Sequence, residues 1–557
     1  MKQLYKLPLV FLLLALFGVR ASAQVTSSTF EISKNLDIFA TMYKELNNNY
    51  VDELNHGDLV KTGIEALLGK LDPYTVFISE ADIEDYSFMT TGQYGGIGAL
   101  IHKQGEYIVV SEPYEGSPSQ KAGLIPGDKI LKVNDRDTKG KSVSDVSAVL
   151  KGEPGTRLKV QVLRDGDTSQ QEIEVLREKV SIPNVAHSLV LDGDVGYIKL
   201  TGFTQNSGKE VKDAFLKLRE NPALKGLIID LRDNGGGLMN EAVTIANLFM
   251  KKGELIVSTK GKTPDRNKSY KTLIQPIDTE IPIVVLVNSY SASASEIVAG
   301  AMQDLDRAVI IGDRTFGKGL VQNIIPLSYN TQMKITVAKY YIPSGRCIQS
   351  VDYGHKDSLG FAGRIPDSLT NSFQTRAGRV VYDGGGISPD LTIEQPMLSN
   401  IAISLLSKYL VFDYANKFKR ENSTIPPAKE FVITPEIYSD FVTWLQDKDF
   451  DYITRSEKLL TDLKKTAEAE KYYEELSAEF ALLESKMMHN KQADLEKFSD
   501  EIKSLLRNEI VSRYYFQKGR VEAGVTEDPE IAKATQLLLD REVYNSILGA
   551  VSIGKNQ

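Results

Sequence analysis

The chain has 557 residues, 42% hydrophobic and 25% charged, and its 74 acids exceed its 66 bases to leave a formal charge of −8. It is too long for one compact core, so about three or four domains are expected, and the acidic balance argues against a nucleic-acid binder, which needs a basic footprint. A single cysteine, Cys347, excludes an internal disulfide, and the five histidines (His56, His102, His187, His355, His489) lack metal-ligand spacing, so no metal or other cofactor is expected.

In chain order, Lys2 and Lys6, the apolar run Leu7–Val19 and the small-residue triplet Ala21-Ser22-Ala23 predict a signal peptide over residues 1–23, with the exported chain starting near Gln24. The alternative, an uncleaved anchor, would need about 20 apolar residues. No cysteine adjoins the cleavage site, which argues against a lipid anchor. The periplasm is the expected compartment, with loose membrane association left open. Residues 24–91 form a helical region, because Ile38, Met42, Leu46 and Leu59, Ile64, Leu67, Leu68 recur at helical intervals before the turn Leu71-Asp72-Pro73-Tyr74-Thr75.

Residues 92–179 change to short strands punctuated by glycine. Gly95-Gly96-Ile97-Gly98 precedes an apolar strand, and Ala122-Gly123-Leu124-Ile125-Pro126-Gly127-Asp128-Lys129-Ile130-Leu131-Lys132-Val133-Asn134 follows. This stretch resembles a PDZ domain. The resemblance implies that the backbone N–H groups of Gly95, Gly96, Ile97 and Gly98 hold the C-terminal carboxylate of a peptide that adds as a strand to the sheet edge. Glycine suits that task by allowing close backbone approach; the alternative is a hairpin turn without a ligand.

Residues 180–394 alternate strands and helices, as an α/β layered domain does. Gly226–Leu231, Ile281–Val287 and Ala308–Ile311 read as buried strands, and Leu238–Met250 as a helix. Ser293, within Ser291-Ala292-Ser293-Ala294-Ser295-Glu296, stands at a strand-to-helix junction. Such a serine exposes its hydroxyl, sets the Ala294 N–H beside an attacked carbonyl, and lies where the helix N-terminus favours negative charge. The competing reading is an N-cap, because Ser293-Ala294-Ser295-Glu296 fits the capping box S-x-x-E. Lys318 lies between two glycines in Thr315-Phe316-Gly317-Lys318-Gly319-Leu320-Val321-Gln322, 318 − 293 = 25 residues beyond the serine. A surface lysine in a turn is the simple reading. In apolar surroundings a lysine amine loses its proton more readily and can serve a serine as base. If Lys318 opens a strand, Gln322 shares its face and can orient the amine.

These two segments, with Asp230-Leu231-Arg232-Asp233-Asn234-Gly235-Gly236-Gly237, resemble the C-terminal processing peptidases, serine proteases that use lysine in place of histidine. The resemblance covers about residues 30 to 395 and departs from the family loop at Gly235, where proline is common. It implies a crotonase-like α/β core and the catalytic set Ser293, Lys318 and Gln322. It also implies an oxyanion hole from the N–H of Ala294 with that of Gly236 or Gly237. Tyr340–Arg346 and Gly384–Asp390 also resemble family signatures and read as structural turns.

Residues 395–557 read as a helical domain without a chemical role, Lys/Glu-rich over 457–513, with a lid and an oligomer contact both left open. The fold class is therefore α+β multidomain: a helical N-terminal region, a PDZ domain, a crotonase-like α/β protease core and a helical C-terminal domain. The expected function is an exported serine endopeptidase with a Ser-Lys dyad that cleaves proteins near their C-termini after the PDZ domain binds a free, apolar tail. A homo-oligomer is left open. The alternatives are a silent PDZ-containing adaptor or chaperone, and an acyl-transfer enzyme on a crotonase core.

Overall fold

The computed structural model describes residues 29–167, 169–394, 397–487 and 491–549. The expected signal peptide and its cleavage site lie outside these residues. Two units are distinguished, residues 1–77 and 78–557. In the first, residues 29–49 and His56–Gly69 are helical, and Asn55 caps the second helix by accepting the Asp58 N–H. The Asp72 carboxylate accepts the N–H groups of Tyr74 and Thr75 at 2.8 and 2.9 Å, which makes the expected turn.

The second unit opens with the helix Ile83–Thr91, which stops at Gly92 in the left-handed region (φ 67°). The next module is an antiparallel sheet in the order Ala99–Gln104, Tyr107–Pro113, Lys129–Val133, Arg157–Leu163, Gln171–Leu176, with Arg136–Asp137 beside the third strand. Leu158, Val160 and Val162 alternate inward along one strand and meet Val146 and Leu150 of the helix Val143–Leu150. Ala99–Gln104 is an edge strand of this sheet.

The next layer is a six-stranded sheet ordered Val185–Leu191, Val195–Leu200, Gly226–Asp230, Ile283–Val287, Ala308–Gly312, Leu391–Thr392. The first pair is antiparallel and the rest parallel. Its central strands are apolar throughout because both faces are covered. Leu227, Ile229, Val285 and Ile310 face the helices Ser207–Leu218, Met239–Phe249 and Ala294–Asp304. Ile228, Val284, Leu286, Val309 and Ile311 face the other way and pack on Val525, Ile531, Ala534, Leu537, Leu538 and Tyr544. A second sheet contains Leu255–Gly261, Lys268–Lys271, Gln332–Tyr341 and Leu320–Pro326, the last paired with Gln332–Tyr341.

The C-terminal helices do not form a separate body. Helices from Asn400–Ser407 to the long Ser499–Gly524, kinked at Phe516, build their own core around Tyr414, Phe441, Leu506 and Ile510. The final pair, Pro529–Leu539 and Arg541–Ile547, supplies the missing layer of the six-stranded sheet. Leu538 lies against Gly226, where any Cβ would come within 3.0 Å of its side chain. The Tyr544 hydroxyl accepts the Ile283 N–H and donates to the Ile283 carbonyl. Among the described residues no helix is long and apolar enough to cross a membrane.

Leu538→Ala should therefore destabilise the sheet domain by about 2–5 kcal/mol in denaturant unfolding. Leu539→Ala, at an exposed neighbour, should cost under about 1 kcal/mol. Equal effects would mean that the helix does not complete the core.

Candidate active site

The strand Ile283–Val287 delivers the chain to a tight turn in which Ser291 donates its N–H to the Asn288 carbonyl (2.9 Å) and its hydroxyl to the Leu231 carbonyl (2.8 Å). Ser293 then precedes the helix Ala294–Asp304 with φ 57° and ψ −111°. This separates it from an ordinary cap. The hydroxyl caps elsewhere in the chain (Ser117, Ser142, Ser399, Thr434, Thr454) all have extended backbones, with φ from −62° to −80°. A left-handed φ in a non-glycine residue costs on the order of 1–3 kcal/mol and persists only where its surroundings impose it.

Those surroundings are specific. The Ser293 N–H donates to Glu296 Oε2 at 2.8 Å, and its carbonyl accepts the Ile297 N–H at 3.0 Å. The Ala292 N–H and the Ser295 hydroxyl both donate to the Asn234 carbonyl (3.1 and 2.8 Å), which fastens the serine segment to the glycine loop. Gly236 (φ 95°) is pressed so close that a Cβ there would stand 2.8 Å from both Ser293 Cβ and Ala294 N. Its own N–H donates to Asn234 Oδ1 at 2.9 Å. Among the described residues the N–H groups of Gly237 and Ala294 have no such acceptor.

The same loop is anchored from behind by Asp230, fully buried at the end of its strand. Burial alone would raise its pKa, but the Lys199 and Arg232 cations, with the Tyr197 hydroxyl at 2.7 Å, hold the carboxyl well below the usual carboxylate range. Arg232 also pairs with Asp528 (2.7 Å) and Glu530 (2.5 Å), at the start of the helix Pro529–Leu539.

Lys318 sits in the connection from Ala308–Gly312 to the edge strand Leu320–Pro326. Glu296, completely buried, ties this connection to the serine. Its Oε1 accepts the Thr315 hydroxyl (2.6 Å) and the Gly317 N–H (2.7 Å). Its Oε2 accepts the Lys318 N–H (2.9 Å) besides that of Ser293. Burial pushes its carboxyl up to about 7, against the lowering effect of these donors. The Tyr340 hydroxyl forms a second tie, 2.5 Å from the Lys318 carbonyl and 3.2 Å from that of Ser293. Gln322 lies just past a register shift between Val321 and Gln322, and its amide donates to Thr336 Oγ1 at 3.2 Å.

Ser293, Lys318, Gln322, Gly236 and Gly237 line one cleft of about 830 Å³. Its walls add Met239, Tyr270, Ile297, Leu320, Val321 and Tyr340, and among the described residues no histidine lines it. The strand begins at Leu320 rather than Lys318, so the expected shared face of Lys318 and Gln322 is broken by the bulge. The cleft nevertheless gathers both residues. Glu296, Asn234 and Tyr340 escaped the sequence reading. Glu296 was visible only as the acid of a capping box, because three of its four partners lie 19 to 22 residues away.

The segment Gly95-Gly96-Ile97-Gly98 lies elsewhere, at the entry to the antiparallel module. Gly95 and Gly96 belong to the strand Gln93–Gly96, paired with Glu178–Ser181. A Cβ on Gly95 would meet the Gly152 carbonyl at 2.2 Å. Ile97 is a core residue, and Gly98 (φ 72°) accepts the Tyr114 N–H and the Ser119 hydroxyl on its carbonyl. Among the described residues no group of three or more His, Cys, Asp or Glu could hold a metal ion.

Comparison with known proteins gives these parts a family. Residues 194–354 match the model of peptidase family S41, residues 109–164 a PDZ domain, and residues 401–538 the C-terminal helical domain of a probable PDZ-protease. A carboxy-terminal-processing protease of Bartonella bacilliformis is 31% identical over 382 residues, 68% of this chain and 80% of that protein. The carboxy-terminal processing protease CtpA of Bacillus subtilis is 30% identical over 430 residues, 76% of this chain and 89% of that one. A probable CtpA-like serine protease of Staphylococcus aureus (strain MRSA252) is 31% identical over 371 residues, 66% of this chain and 67% of that one. The span matched to the peptidase model contains the serine, the lysine and the glycine loop, and the chain belongs to peptidase family S41, among its carboxy-terminal processing serine proteases with a PDZ domain.

Proposed function

We propose that this peptidase is exported and cleaves proteins near their C-termini with a dyad of Ser293 and Lys318. The observation that carries the reading is the strained Ser293 sharing a cleft with Lys318, the two segments joined through one buried carboxylate. Ser293 Oγ attacks the scissile carbonyl carbon while Lys318 Nζ takes the hydroxyl proton. The N–H groups of Ala294 and Gly237 hold the oxyanion, with Gly236 kept in place by Asn234. Lys318 then passes its proton to the leaving amine, and water releases the acyl group from Ser293. Gln322 orients the lysine amine after exchanging its bond to Thr336.

The PDZ domain supplies the tail preference. A free, apolar C-terminus adds along the edge strand Ala99–Gln104 beside the helix Val143–Leu150, with its carboxylate at residues 95–98. The basic and apolar N-terminal residues support export to the periplasm.

Ser293→Ala in purified residues 24–557 should lower kcat by roughly 10⁴–10⁶-fold on an unfolded protein with an apolar tail, products being read by mass spectrometry. A mere cap would cost ~1 kcal/mol of stability and spare the rate. Lys318→Ala should match that loss while the protein stays folded; a normal rate would remove the dyad.

Glu296 is a positioning residue in this scheme, and its titration gives a separate test. Only the ionised carboxylate can accept four donors at once, so activity should rise as pH passes about 7. Stability should move the opposite way. The folded-state pKa of about 7 exceeds the ordinary 4.5, so the contribution is complete below 4.5 and is lost as pH rises through 7. The loss is of order 3 kcal/mol at about 1.4 kcal/mol per unit. Glu296→Gln should remove this slope, seen as a gap in unfolding midpoint between parent and variant that changes from pH 5 to 7.5. A constant gap would show that Glu296 is ionised throughout.

A further inference from the structure

One wall of the cleft comes from outside the peptidase core. The helix Ile83–Thr91 places Tyr86, Met89 and Thr90 on it. The Tyr86 hydroxyl is buried and has no hydrogen-bond partner among the described residues. A buried hydroxyl left unpaired is costly, and each one calls for an explanation. The ring is held independently of the hydroxyl, with Lys334 Nζ 5.3 Å from its centroid. The helix is fixed at both ends. Asp85 pairs with Lys151 at 2.5 Å, and the Thr90 carbonyl accepts the Gln205 N–H at 2.9 Å. A fixed, buried hydroxyl left unpaired on a residue that lines the cleft is a donor that a bound ligand can satisfy.

The register of the neighbouring hairpin says which part of a ligand it meets. Leu320 lies opposite Lys339 and Ile324 opposite Lys334, so Lys334 and Tyr86 stand near the Ile324 end of the edge strand. Four residues at about 3.4 Å each put that end some 14 Å from the Lys318 end. Val321, Gln322, Asn323 and Ile324 line the cleft between the two. An extended peptide lying along this strand with its scissile bond at Ser293 therefore reaches Tyr86 several residues away.

Resting on the peptidase reading above, we propose that the Tyr86 hydroxyl is a substrate anchor, donating a hydrogen bond to a main-chain carbonyl of the bound polypeptide remote from the scissile bond. A main-chain partner gives affinity without side-chain preference. The distance from the chemistry places the effect on KM rather than kcat.

Tyr86→Phe isolates the hydroxyl, because the ring and its contact with Lys334 remain. Binding is measured on Ser293→Ala with and without Tyr86→Phe, using fluorescence anisotropy of a labelled apolar peptide of about twelve residues. The peptide is amidated at its C-terminus so that the PDZ domain has no carboxylate to hold. Loss of one hydrogen bond should weaken binding roughly two- to twelvefold, and Tm should stay the same or rise, because the free protein loses no bond. In the active background KM should rise by the same factor at constant kcat, and a peptide of about four residues centred on the scissile bond should show no difference. Equal affinity of the two proteins for the long peptide, or a fall in Tm that tracks the loss, would overturn the assignment. Because the anisotropy comparison needs no catalysis, it decides the role of Tyr86 even if the parent cleaves nothing, a result that would count against the dyad instead.

Discussion

A single buried carboxylate holds the candidate active site together. Glu296 is in the first turn of its helix, where the partial positive charge of the N-terminus favours an anion. It spends four acceptor positions on donors from the serine segment and the lysine segment. In a dry environment such charge-assisted bonds are strong, and leaving one unmade is expensive. Glu296 thereby joins the left-handed Ser293 to the chain at Thr315, Gly317 and Lys318, and the Tyr340 hydroxyl ties the same two segments a second time. The same burial that strengthens the bonds raises the pKa, so cohesion at the site and the pH dependence expected of it have one cause.

The glycine loop is held from two sides. Toward the cleft, Asn234 binds the serine segment with its carbonyl and the Gly236 N–H with its side chain, while its amide donates to the Leu200 carbonyl. Away from the cleft, Asp230 and Arg232 connect the loop to Asp528 and Glu530. The end of the chain thus acts on the peptidase core twice: through apolar packing under the sheet and through a buried charge network under the loop. A network of this kind adds little net stability, but it fixes where the loop sits relative to the last helices.

The PDZ domain is likewise held on more than one side. Toward the cleft, the helix Ile83–Thr91 continues through Gly92 into the strand that carries Gly95 and Gly96. Toward the helical domain, His102 of the edge strand stacks on Tyr409 at 4.2 Å, Gln104 donates to Asp413, and Arg520 pairs with Glu112. These contacts put the edge strand of the PDZ domain, the helical domain and the cleft wall in mechanical continuity.

The chain's local chemistry made much of this legible in advance. Continuous apolar runs such as Gly226–Leu231 announced buried strands, and the segments Gly95–Gly98 and Ala122–Asn134 carried the resemblance to a PDZ domain. The strand-to-helix junction at Ser293, with the lysine 25 residues on, named the two residues that the cleft brings together. What stayed hidden depends on residues far apart in sequence. Ser-x-x-Glu reads the same for a plain cap and for the Glu296 tie, because the pattern contains neither the backbone angle of Ser293 nor the arrival of Thr315, Gly317 and Lys318. The period of Pro529–Leu539 shows that one face is apolar but not that its partner is the sheet formed some 300 residues earlier. Tyr86 looks like any helical tyrosine until the hairpin around Lys334 folds against it. The sequence by itself determined the main elements and, through its short motifs, the family and the candidate pair, since these rest on local order within each segment. Only the tertiary structure decided what positions that pair, because each such contact joins segments whose separation along the chain carries no signal of their proximity in space.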